Sequence, residues 1–124
     1  MNVFDASALL AYLGGEDGAD QVRGALEQGG VVSAANWSEV AQKVRAAGAD
    51  WGMARGLLLG YELDVEPVTR DDAERAAIRW RAGAGLSLAD RLCLALGDRL
   101  GADVWTADSA WAPEERVRLI RTGG

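Results

Sequence analysis

The sequence predicts a layered α/β fold built on a short parallel sheet. Brief apolar stretches alternate with amphipathic helical ones along the chain, and glycines punctuate the ends of the helical runs. No apolar run approaches the length of a membrane span. Residues 1–124 read as one domain, long enough to bury a core without disulfides.

Met1 to Phe4 is a short buried strand, and Ser7 to Leu13 is a helix that stops at Gly14 and Gly15. Asp17 to Gln28 reads as a second helix ended by Gly29 and Gly30. Val31 to Ser33 is the next strand. A long helix follows, in which Trp37, Val40, Ala41, Val44 and Ala47 recur at helical spacing until Gly48. Asp50 caps a helix running to about Gly60, and Leu63 to Val65 forms a strand ending at Glu66 and Pro67. Thr69 caps a helix through about Arg81, whose first turn is acidic. Ser87 opens a strongly apolar helix to Leu100. Asp103 to Thr106 is a strand, followed by a loop with Asp108, Trp111 and Pro113, and Val117 to Ile120 is the last strand.

Composition narrows the chemistry. The chain has no histidine, which removes Ser-His-Asp and Cys-His catalysis and every histidine-ligated zinc motif. The single cysteine, Cys93, lies among leucines and reads as a core residue. A net charge of −6 opposes a broad nucleic-acid coat, yet all the basic residues except Lys43 are arginines, which grip phosphate bidentately at chosen positions. The first residues go straight into strand-like sequence, so a cytoplasmic protein is the expectation.

Asp5, Glu39, Asp90 and Asp108 each sit where an apolar stretch ends or a helix begins. Loops leaving the carboxyl ends of parallel strands converge on one rim, so these acids can line one pocket. Each also has an ordinary structural explanation. Asp5 can cap the following helix, and Asp108 can close an Asx-turn. Glu39 can complete a capping box with Asn36 or pair with Lys43, and Asp90 can complete one with Ser87. Leu92, Cys93, Leu96 and Leu100 form a stripe that leaves Asp90 off the core face, and Glu39 is likewise off the stripe of its helix.

The segments VFDASALLAYL, SAANWSEVAQKV, LSLADRLCLALG and VWTADSAW, in this order, resemble the PIN-domain ribonucleases, most closely the VapC-like toxins of prokaryotic toxin–antitoxin pairs. The resemblance runs from Asp5 to Trp111. It implies a PIN-like three-layer α/β/α fold, with Asp5, Glu39, Asp90 and Asp108 as the acidic quartet and Ser7 and Thr106 as the accompanying hydroxyl residues. It also implies endonucleolytic cleavage of RNA, a homodimer, and control by a small antitoxin.

Magnesium and manganese prefer hard oxygen ligands, and this quartet suits them. Such a site supports phosphodiester hydrolysis, with Asp5, Asp90 and Asp108 as direct or water-mediated ligands and Glu39 as a ligand or the group that positions the water. Ser7 and Thr106 serve equally well as loop hydroxyls capping nearby backbone. Arg91 follows a predicted ligand and can approach substrate phosphate, but a solvated helix arginine is the preferred reading. Trp51, Trp80, Trp105 and Trp111 fit core, dimer contact or base-stacking surface, with core or interface preferred. Two other functions stay open: an RNA-processing nuclease of the same fold without an antitoxin, and a non-catalytic interaction module that keeps the acids as caps.

Overall fold

Short runs of β-branched and aromatic residues form the strands, and at the ends of the first two Asp5 and Ser33 cap the helices that follow directly. The computed structural model describes residues 1–111 and 116–120. The elements are β1 (Asn2–Phe4), α1 (Ala6–Leu13), α2 (Ala19–Glu27), β2 (Gly30–Ser33), α3 (Ala34–Ala46), α4 (Trp51–Leu59), β3 (Leu63–Glu66), α5 (Arg70–Ile78), α6 (Leu88–Leu100), β4 (Asp103–Thr106) and β5 (Val117–Leu119). A short 3-10 turn covers Ser109–Trp111, and Pro113 lies outside the described residues.

The sheet has five strands in the order β3-β2-β1-β4-β5, and every neighbouring pair is parallel. Chain order runs outward from β1 to β3 on one side and then crosses back to β4 on the other. The change of direction falls between β1 and β4, where Phe4 is in register with Trp105 and the Asp5 N–H donates to the Trp105 carbonyl at 3.0 Å. A crevice opens at such a switch point, beyond the carboxyl ends of the two strands.

Alternation along the strands feeds two cores. Phe4 and Val32 join Leu9, Leu26, Val40 and Leu58 of α1 to α4 on one face. Val3, Val31 and Val104 join Cys93, Leu94, Leu96 and Trp111 on the other, with α5 backing α6. Helices therefore flank both faces of the sheet, as the sequence predicts.

The differences are local. The second helix begins at Ala19, because Gly18 adopts φ 90° and cannot continue a right-handed turn back to Asp17. Ser33, whose hydroxyl accepts from the Ala35 N–H at 3.2 Å, caps α3, so Asn36 lies inside the first turn and forms no capping box with Glu39. The α5 helix stops at Ile78, where the Trp80 N–H reaches the Ala77 carbonyl and tightens the last turn. Gly97 lets α6 press on β4: a Cβ there would stand 2.5 Å from Val104 Cγ2. Among the described residues, no helix is long and apolar enough to cross a membrane.

Candidate metal centre

Asp5 directly follows β1 and is only 3% exposed. Its Oδ1 accepts from the Ala8 N–H at 2.8 Å, which caps α1. The Ser7 hydroxyl lies 2.8 Å from both carboxylate oxygens, and the Thr106 hydroxyl, at the end of β4, donates to Oδ2 at 2.6 Å. Each hydroxyl has one proton and directs it at Asp5. Their own oxygens accept backbone N–H groups, Ala107 to Ser7 at 2.9 Å and Asp108 to Thr106 at 3.0 Å. The strand pairing of β1 with β4 thus fixes Asp5, Ser7, Thr106 and the backbone of Asp108 as one network.

Burial pushes the Asp5 carboxyl up to about 6. The donations from Thr106, Ala8 and Ser7 act downward, and the negative charge of Asp90 adds to the rise. The adjacent Cys93 thiol is pushed well above its ordinary value, first by complete burial and then by the charges of Asp5, Asp90 and Glu39. Three carboxylates therefore project negative potential onto the same part of α6.

The other acids are held from separate elements. Asp90 closes a capping box at the start of α6: its backbone N–H donates to Ser87 Oγ at 3.1 Å, and its Oδ2 accepts from the Ser87 N–H at 2.9 Å. Glu39 Oε1 accepts from the Asn36 amide at 3.0 Å. The same amide reaches the Ala89 carbonyl at 3.4 Å, so the fully buried Asn36 ties the Glu39 turn of α3 to the residue before Asp90. Asp108 Oδ1 accepts from the Ala110 N–H at 2.9 Å in an Asx-turn.

All four acids line one open pocket of about 620 Å³, together with Glu16 and Asp17 from the α1–α2 connection and Lys43 from α3. The capping explanation holds for Asp5, Asp90 and Asp108, and it does not compete with the pocket. Among the described residues, Asp90 Oδ1, Asp108 Oδ2 and Glu39 Oε2 accept no hydrogen bond, and Asp5 receives three donors against about four acceptor directions. Each acid is anchored by the fold with acceptor capacity left over. Such a set of hard oxygens fits magnesium or manganese, which take one or two carboxylates and keep several waters. Among the described residues, no three such side chains stand close enough to form a ready-made ligand cluster.

Several sequence expectations change here. Arg91 is not a solvated arginine: it is half-buried and donates to the Ala76 carbonyl at 2.7 Å, drawn under α5 by the packing of α5 on α6. Lys43 forms no ion pair with Glu39, whose Oε1 is held by Asn36. The tryptophans keep to the preferred core reading in Trp111, which is fully buried, and in Trp51 and Trp105, half-buried against the first core, whereas Trp80 is 59% exposed. Glu16, Asp17 and Lys43 were not predicted as pocket residues. The α1–α2 connection brings Glu16 and Asp17 to the pocket, and Lys43 lies one turn after Glu39 on α3.

The family model described as PIN domain matches residues 3–113. The chain belongs to the PIN-domain family. PIN domains are generally nucleases, and they generally use divalent metals. A solved structure described as a toxin-antitoxin complex from Klebsiella pneumoniae is similar over 99% of this chain and 100% of that one, with a TM-score of 0.78 and 20% identity. At that identity the likeness bears on the fold. No curated protein matches the chain in sequence.

Proposed function

We propose that this PIN domain is a magnesium- or manganese-dependent endoribonuclease of the VapC type, the toxin of a toxin–antitoxin pair. Asp5, Glu39, Asp90 and Asp108 are its catalytic acids and metal ligands, and Ser7 and Thr106 hold Asp5 behind them. The observation that carries the reading is the position of Asp5: a buried carboxylate at the switch point, anchored by three donors, facing a pocket lined by the other acids.

When bound, a divalent ion supplies Lewis acidity to a water and to the phosphate oxygens. The chain's own residues do the rest. Ser7 and Thr106 fix the rotamer of Asp5, so its remaining acceptor direction faces the pocket. The capping box holds Asp90 by one oxygen and leaves the other for the ion, and the Asx-turn does the same for Asp108. Asn36 holds Glu39 so that its outer oxygen positions the attacking water.

The toxin assignment takes further support from the similar Klebsiella structure, described as a toxin-antitoxin complex. An acidic pocket attracts a basic side chain from an antitoxin tail laid along it. On this reading residues 1–124 act as one cytoplasmic domain and pair as a homodimer. The test is cleavage of RNA with magnesium or manganese. Native protein cleaves, while folded Asp5→Asn, Asp90→Asn and Asp108→Asn each lose nearly all activity. Full activity in a folded Asp90→Asn protein would end the assignment.

A further inference from the structure

Six carboxylates line the pocket, from Asp5, Glu16, Asp17, Glu39, Asp90 and Asp108, and a phosphodiester strand must approach all of them. A divalent ion held by the acids would offset that repulsion at the cleaved bond, and the neighbouring phosphates would need cations of the chain itself. Lys43 is the chain's single lysine and, among the described residues, the one basic residue lining the pocket. Arg75, Arg79, Arg99 and Arg118 are paired with acids outside it.

Lys43 is exposed and makes no hydrogen bond or ion pair with a described residue. That is unexpected on spacing alone, since a glutamate four residues before a lysine is the favoured helical pair. Here the Glu39 carboxylate instead accepts the Asn36 amide on Oε1 at 3.0 Å. Lys43 lines the same pocket, its backbone about 6 Å along the helix axis from that of Glu39. A lysine ammonium is a mobile point charge with three donors, suited to a phosphate whose orientation is not fixed.

We infer that Lys43 binds a backbone phosphate of the RNA next to the cleaved one, and so sets how the strand enters the acidic pocket. This rests on the nuclease reading above. Lys43 serves substrate affinity and touches none of the reacting atoms.

The experiment compares native protein with Lys43→Gln and Lys43→Arg, reading kcat and KM on a short RNA across a salt series. Lys43→Gln raises KM roughly fivefold with kcat within about twofold. It also flattens the dependence of log(kcat/KM) on log salt by about 0.7, the contribution of one single-strand phosphate contact. Lys43→Arg restores most of both. Equilibrium binding of labelled RNA in the Asp5→Asn background, which reads affinity without turnover, shows the same loss on adding Lys43→Gln. If native protein cleaves and Lys43→Gln leaves KM, salt slope and binding unchanged, the inference alone is overturned. If native protein cleaves no RNA, the nuclease reading is overturned and the inference with it.

Discussion

A carboxylate that caps a helix commits one oxygen to a backbone N–H, and what it does with the rest decides whether it is only structural. Asp5 is the extreme case, with three donors around it and burial pushing its carboxyl up to about 6. In the metal-free protein the folded state therefore binds a proton more readily than the unfolded chain, where the value is near 3.8. The sign follows from linkage: between about 6 and 3.8 the folded state holds more protons, so this group's contribution makes the protein more stable as pH falls. Asp72 works the other way. Burial raises its carboxyl, but the two-pronged Arg99 contact and the Thr69 donations outweigh that and hold it below its ordinary value, so its contribution is lost only at lower pH. Thermal melting in chelator from pH 7 to 4 should show native protein gaining stability relative to Asp5→Asn, which cannot take up the proton. Parallel profiles for the two proteins would show that Asp5 does not titrate in this window.

The elements were legible where one period or one cap decided them. Brief apolar runs marked the strands, and Ser87, Thr69 and Asp50 cap their helices as their types suggest. The acids at strand ends and first turns were legible for the same reason, since a parallel sheet gathers those positions on one rim. What the sequence did not disclose depends on tertiary packing. The positive φ of Gly18 shortens α2, the burial of Arg91 depends on α5 lying across α6, and the role of Asn36 needs Ala89 of another helix beside it. Helical periodicity also failed to show that α6 buries Leu94, Ala95 and Gly97 in addition to its leucine stripe, because a helix clasped between a sheet and another helix has two buried faces. Gly97 is the tightest point of that clasp, with Val104 Cγ2 2.5 Å from where a Cβ would lie. Gly97→Ala should destabilise the fold by about 1–3 kcal/mol despite alanine's better helix propensity, because the methyl must displace β4 or α6. Urea unfolding reads this directly. A stabilised variant would mean that α6 moves away from β4 at little cost.

At the scale of the whole molecule, the order β3-β2-β1-β4-β5 places the crevice between β1 and β4, and that crevice is where Asp5, Thr106 and Asp108 converge. The homodimer proposed above predicts light scattering at twice the chain mass at high concentration, and a monomer throughout would remove it. The central claim is that the four acids form one divalent-ion site. The negative charge of Asp90 already raises the Asp5 carboxyl, so like charges oppose one another in the metal-free protein, and an ion that binds only the folded state relieves that repulsion. At one hundred times its Kd such an ion stabilises the fold by about 2.7 kcal/mol. Asparagine caps as well as aspartate does, so Asp108→Asn keeps the Asx-turn and removes only the charge. The deciding measurement is thermal melting of native and Asp108→Asn protein, first in chelator and then across a manganese series. The account predicts that the variant melts at or above the native temperature in chelator and gains less from manganese. If the variant melts lower in chelator and manganese shifts both proteins equally, Asp108 is a structural acid and the four carboxylates are not one site.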